Sequence, residues 1–186
     1  MSADEPAGFA WAACFCEENA WHLCQDPRLR RGDWSPPPED RRVLLVTNAR
    51  RSVAVWRQRA GDPVVWDYHA LVLARVAPGG AWEAWDLDST LPLPCPLPDW
   101  LSASFLPAPP VLAPRFRLLG AAEYLAVFSS DRSHMLDPAG RPRAPFPPWP
   151  AITRPGGSTL ARLLDLGRPA PGEVLDLPGL LARCPG

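Results

Sequence analysis

Cys16 immediately precedes Glu17, Glu18 and Asn19, and the run that follows has helical spacing. A thiol at a helix start gains from the macrodipole, which lowers its pKa and favours the nucleophilic thiolate. The two adjacent glutamates oppose that effect, so a cation must help, and histidine is the usual one in a Cys–His pair. The ordinary alternative for Cys16, and for Cys14 two residues earlier, is a small buried hydrophobe. Spacing alone favours that alternative. The chain has three histidines. His22 falls inside the first helical run beside Trp21 and reads as structural or exposed. His69 lies among Tyr68, Ala70 and Leu71 in a strand-like run. A histidine there is usually a hydrogen-bonded core residue unless a carboxylate faces it.

A carboxylate can face it. Residues 64–76 and 81–88 flank Pro78, Gly79 and Gly80 and predict an antiparallel hairpin. Cross-strand partners then have position numbers with a constant sum, and a loop of even length makes that sum odd. His69 shares a face with the even positions of the second strand, Asp86 and Asp88 among them. A loop over 77–80 puts Asp88 directly opposite and Asp86 on the diagonal. A loop over 75–80 puts Asp86 directly opposite. Both spacings are within side-chain reach, so the hairpin alone leaves the choice open.

Three other features weigh less. His134 closes a polar run, Ser129-Ser130-Asp131-Arg132-Ser133-His134-Met135. Polar loops often carry function; the alternative is a self-satisfied loop, with Asp131 pairing Arg132 or capping nearby amides. Cys14, Cys16 and Cys24 with His22 can be read as a soft-metal cluster. Their spacing matches no common zinc pattern, and a helix carries Cys24 about two turns from Cys16. There is no glycine-rich phosphate loop and no G-x-S-x-G elbow.

The elements that must hold these residues form a mixed pattern. Helices are expected over 17–31, 121–128 and 158–166, the last with Ser158 as its N-cap, and after Asp176 in 174–183. Strands are expected over 43–47, 52–56, the hairpin, and 115–119. Residues 32–40 and 91–114 read as proline-rich loops, and the prolines of 137–157 exclude a regular element of any length. Helices at both ends with strands between point to an α+β domain rather than alternating βαβ.

Composition agrees. The chain has 186 residues, 47% hydrophobic and 21% charged, which is one globular domain that buries roughly 70% of its unfolded surface. The expected domain spans 1–186, with 1–12 as a flexible tail. The 26 prolines and 13 glycines stiffen the loops without reaching low complexity. All 19 basic residues are arginine, so Schiff-base and lysine general-base chemistry is excluded. A net charge of −1 with no basic run argues against nucleic acid as a partner. No apolar run approaches the roughly 18 residues of a membrane span. The first residues lack a secretory signal, and five irregularly spaced cysteines point to reduced thiols in the cytoplasm.

Taken together, the segments resemble the protein N-terminal glutamine amidohydrolase family. The resemblance is carried by Cys14-Phe15-Cys16-Glu17-Glu18-Asn19 with Trp21 and Cys24, and by Val65-Trp66-Asp67-Tyr68-His69. It continues in Asp86-Leu87-Asp88-Ser89-Thr90 with Leu91-Pro92 and Pro94-Cys95, and in Phe128 through Met135. Phe146-Pro147-Pro148-Trp149-Pro150 and the closing segment to Arg183 fit as well. Phe15 stands where the family often has Tyr, and the loop over 32–40 looks shortened. The resemblance implies a papain/transglutaminase-like three-layer α-β-α sandwich around an antiparallel sheet, with the catalytic Cys at the start of the first helix. It implies a catalytic Cys16, His69 and Asp86, choosing Asp86 over Asp88, and no metal or cofactor. The implied reaction converts the N-terminal Gln of proteins or peptides to Glu, through a thioester and with release of ammonia, feeding an N-degron route.

Reading a free N-terminus requires a carboxylate or carbonyl cluster for the ammonium. Glu17 and Asp131 are the expected acids, and Trp66 and Tyr68 are further expected substrate-binding residues. Residues beyond the first are expected to matter little. The same triad also suits transglutaminase-like acyl transfer or peptide cleavage, and a non-enzymatic N-terminus binder is the remaining alternative. With no coiled-coil repeat, a monomer is the default.

Overall fold

Val43, Leu44, Leu45 and Val46 run without a polar break and are all fully buried. That is how a strand covered on both faces reads. In the computed structural model, which describes residues 6, 8–29, 37–75 and 77–185, they form β1 (Arg41–Thr47) at the centre of a six-stranded sheet. Its neighbours are β4 (His69–Arg75) and β7 (Arg115–Gly120). Outside them lie β5 (Trp82–Trp85) and β6 (Cys95–Pro96) on one side and β8 (Glu173–Leu175) on the other. The order is β6-β5-β4-β1-β7-β8, and every pairing is antiparallel. A separate two-stranded ribbon pairs β2 (Val53–Val55) with β3 (Val64–Trp66).

Alternation along the strands separates two apolar clusters. Val43, Leu45, Ala70 and Val72 join Ala20 and Leu23 of α1 (Cys16–Leu23), Tyr124 of α3 (Ala121–Val127) and Leu160 of α4 (Leu160–Leu163). Leu44, Val46, Leu71 and Leu73 join Trp100 and Leu101 of α2 (Leu97–Ser104) and Leu180 of α5 (Leu177–Arg183). The chain is therefore α+β, with helices on both faces of an antiparallel sheet. Among the described residues no helix is long and apolar enough to cross a membrane.

Several boundaries differ from expectation. The first helix ends at Leu23 rather than near 31, because Pro27 lacks an N–H and disfavours helical backbone before it; residues 30 and 31, like most of the 32–40 loop, lie outside the described residues. The 64–76 strand is two strands, β3 and β4, divided at Asp67 and Tyr68. There Asp67 Oδ1 accepts the Tyr68 N–H at 3.0 Å, and Thr47 donates to the Asp67 carbonyl at 2.8 Å. Val76 lies outside the described residues. The 91–114 loop contains α2, whose buried Leu97, Trp100, Leu101 and Ser104 recur at helical spacing. Pro98 sits in its first turn, where proline is tolerated.

The 158–166 helix shrinks to α4, with Thr159 and not Ser158 at the N-cap position. Both hydroxyls are taken by the end of α3 and the residues after it: Ser158 donates to the Ser129 carbonyl and Thr159 to the Val127 carbonyl. The helix after Asp176 forms as expected, with Asp176 Oδ1 accepting the Gly179 N–H at 2.9 Å. Of the expected flexible tail, residues 1–5 and 7 lie outside the described residues. Phe9 is packed instead: it is buried, with its ring edge-on to Trp85 at 6.1 Å.

Candidate active site

Three contacts set the position of the first helix. The Asn19 side chain clamps the approach segment, donating to the Ala12 carbonyl at 3.0 Å and accepting the Ala12 N–H at 2.9 Å. Tyr124 donates to the Glu17 carbonyl at 3.0 Å. Glu18, fully buried, accepts two bonds from Arg132 at 2.8 and 2.7 Å and one from Trp149 Nε1 at 2.8 Å. This fixes Cys16, the first residue of α1, at the wall of a cavity of about 780 Å³.

His69 lines the same cavity. It opens β4, paired with Val46 of the central strand. Its Nε2–H donates to Asp86 Oδ1 at 2.9 Å, with both side chains almost fully buried. The other carboxylate oxygen accepts from Trp100 Nε1 at 3.1 Å and Gln58 Nε2 at 3.3 Å, and Oδ1 also accepts the Asp88 N–H at 3.1 Å. Trp66 stacks on the His69 ring at 6.3 Å and anchors its own Nε1 on Gln58 at 3.3 Å. The imidazole is thus held in one tautomer, and Nδ1 is the ring nitrogen that Asp86 leaves unengaged.

The hairpin register explains how Asp86 reaches His69. Pairs from Arg75↔Trp82 to Val72↔Trp85 keep an odd sum, as expected, and their continuation would set Asp88 opposite His69. However, β5 stops at Trp85, and the chain turns with the Ser89 N–H on the Asp86 carbonyl. The diagonal residue, Asp86, takes the imidazole. Asp88 accepts from Trp11 Nε1 at 2.8 Å and lines the cavity.

Electrostatics follow from burial. Burial pushes the Cys16 thiol well up, Glu17 and Asp88 add to the rise, and the Ala70 N–H only partly opposes it. The expected lowering by the helix start does not prevail, because burial and carboxylates outweigh the dipole of a two-turn helix. Burial lowers His69, but the charge and hydrogen bond of Asp86 outweigh it, so the net shift is upward. Burial raises Asp86, and His69, Gln58 and Trp100 reverse that to a net lowering. Asp88 is pushed up to about 6, by burial first and Asp86 second.

The remaining expected residues divide. Tyr68 and Trp66 line the cavity. Glu17 lies behind its wall, fully buried, with Oε2 3.7 Å from the Cys16 sulfur and Oε1 3.4 Å from His134 Nε2. Asp131 is exposed and caps its own loop, accepting from the Ser133 N–H and hydroxyl at 3.0 and 2.7 Å. It does not line the cavity, but Ser133, His134 and Met135 do. His134 also contacts the Tyr68 hydroxyl at 3.3 Å. Sequence reasoning left His134 unassigned; its place in the most polar loop was the available signal. Gln58, Trp100 and Trp11 gave no signal, since two distant loops and α2 bring them in. Cys24 is buried in the core while exposed Cys14 lines the cavity. Among the described residues, His69, Asp86 and Asp88 form the one group spaced for a metal ion, with ligand atoms within 4.8 Å.

A buried imidazole–carboxylate pair whose histidine lines a cavity with a cysteine suits acyl chemistry at a carbonyl. The chain is 40% identical over 181 residues to protein N-terminal glutamine amidohydrolase of Bos taurus, covering 92% of this chain and 84% of that one. The Homo sapiens protein of that name is 39% identical over 148 residues, covering 76% and 70%, and the Danio rerio one 34% over 151, covering 78% and 73%. Residues 11–182 match the family described as N-terminal glutamine amidase, and the chain belongs to that family.

Proposed function

We propose that this chain converts the N-terminal glutamine of proteins and peptides to glutamate, releasing ammonia, with Cys16, His69 and Asp86 as its catalytic residues. The observation that carries the reading is the buried 2.9 Å bond to Asp86 from His69, which lines one cavity with Cys16. The names of the relatives support the substrate.

In this mechanism Cys16 is a neutral thiol at rest. His69 Nδ1 takes its proton as sulfur attacks the carbon of the side-chain amide. Asp86 holds the tautomer and stabilises the imidazolium that forms. Backbone N–H groups at the start of α1 stabilise the tetrahedral oxyanion, each worth about 10²–10³ in rate. Collapse breaks the C–N bond, and His69 returns the proton to the departing ammonia, leaving a thioester. His69 then takes a proton from water, which attacks the thioester; the C–S bond breaks, and Cys16 leaves protonated with glutamate as product.

The substrate ammonium needs negative charge. Of the two acids expected for this, Glu17 is the better placed, since its buried carboxylate lies next to the Cys16 sulfur and its Oε1 faces His134, which lines the cavity, at 3.4 Å. Asp131 is the weaker nominee, because Ser133 already occupies it. Trp66 and Tyr68 form the wall that measures side-chain length. Helices on both sheet faces, with Cys16 opening a helix, support the likeness to the papain/transglutaminase sandwich. We place the protein as a monomeric, single catalytic domain in the cytoplasm, its product feeding an N-degron route.

The test is ammonia release from otherwise identical peptides that begin with Gln, with acetylated Gln or with Asn. Release is expected from free N-terminal Gln alone; N-terminal Asn presents its amide one methylene short, and a displacement of about 1 Å can cost 10²-fold. Equal release from the acetylated peptide, or crosslinking to an added amine in place of hydrolysis, would overturn the reading.

A further inference from the structure

The cavity around Cys16 changes sign toward solvent. Half-buried Asp88 lines it, and the Glu17 carboxylate lies behind its wall. Its exposed lining includes Arg51 and Arg143, with Asp67 the exposed acid. A second cleft adjoins it, because Arg51 and Ala161 line both. The rest of that cleft is Arg162, Asp165, Arg168 and Pro169. Three guanidiniums therefore face one carboxylate, and that carboxylate is already 3.3 Å from Arg168. Among the described residues the Arg51 side chain makes one long bond, to the Ala161 carbonyl at 3.4 Å. The Arg162 side chain has no hydrogen bond or ion pair among the described residues. These cations are exposed and largely unspent.

A substrate whose first residue sits at Cys16 must send the rest of its chain out of the cavity. Two extended residues span roughly 7 Å, so the third and later residues are the ones that reach a neighbouring cleft. We propose that the second cleft is a subsite for the residues following the N-terminal glutamine, and that it selects acidic side chains there. This rests on the deamidation reading above, and it departs from the expectation that later residues matter little. The field is ordered to match: negative charge inside for the ammonium, positive charge outside for acidic side chains. Exposed charges of this kind act on encounter and on KM and are screened by salt.

The test compares a peptide beginning Gln-Gly-Asp-Asp with one beginning Gln-Gly-Arg-Arg, the remainder identical. Ammonia release is measured at low salt and at about 0.5 M salt. Binding of both peptides to the Cys16→Ser protein is measured alongside. The acidic peptide is expected to be favoured about three- to tenfold at low salt, through KM, with the preference falling toward unity at high salt. The double variant Arg162→Ala, Arg168→Ala should lose the preference while turning over Gln-Gly amide, which has no third residue and no charged side chain, as the unaltered protein does. Equal kcat/KM for the two peptides, or a preference that survives in the double variant, would overturn the subsite. If no peptide releases ammonia, the deamidation reading fails, and the binding measurement still decides the subsite.

Discussion

His69 is gripped from two sides, by Asp86 through Nε2 and by the Trp66 indole against its face. Asp86 both fixes the tautomer and holds the imidazole pKa above its ordinary value. Replacing Asp86 with Asn should therefore do two separable things. It should lower kcat by about 10⁴, the order seen when such a carboxylate is lost. It should also move the acid limb of the kcat/KM profile to lower pH, because burial without the Asp86 charge lowers His69. A pH–rate profile checks both; an unmoved acid limb would remove His69 as the titrating base. Asp88 gives a second test. Its folded pKa of about 6 exceeds the ordinary 3.8, so the folded state binds the extra proton between those values. Stability is thus lost as pH rises from about 4 to 6. Asp88→Asn should remove that slope and stabilise the protein at neutral pH by on the order of 2–3 kcal/mol, read from denaturant midpoints at both ends of the range.

At the scale of elements, the first helix is pinned by a buried ion pair. Glu18 is fully buried and Arg132 nearly so. Arg132→Ala strands that carboxylate and should destabilise by about 3–5 kcal/mol, seen as a lower urea midpoint; a change within about 0.5 kcal/mol would show the pair is not needed. The hairpin shows how far sequence reasoning reaches at this scale. Parity placed both aspartates on the His69 face, and the observed register keeps that parity. Where β5 ends decided between them, and strand ends depend on the turn that follows. Pro27 is the signal that ends the first helix before 31, and the helical spacing of α2 is legible only beneath the prolines around it. β8 left no trace, because a three-residue edge strand carries little periodicity.

At the scale of the molecule, the central strand supports both apolar clusters. Leu44→Ala, at a fully buried position, should cost about 2–5 kcal/mol, and the loss should appear in the thermal midpoint without altering the acid limb of the pH profile. The blocks around Cys16, His69 and His134 lie far apart in the chain, yet all three residues line one cavity. That convergence is a property of the sheet, which no local pattern displays, so the family resemblance was what joined them beforehand. In the proposed reaction, Cys16 attacks the side-chain amide of a terminal glutamine. The most direct measurement is the mass of a Gln-initiated peptide after incubation with the unaltered protein and with Cys16→Ser. A gain of one mass unit with the former and none with the latter is the expected result. An unchanged peptide in both incubations, or the same gain with Cys16→Ser, would contradict it.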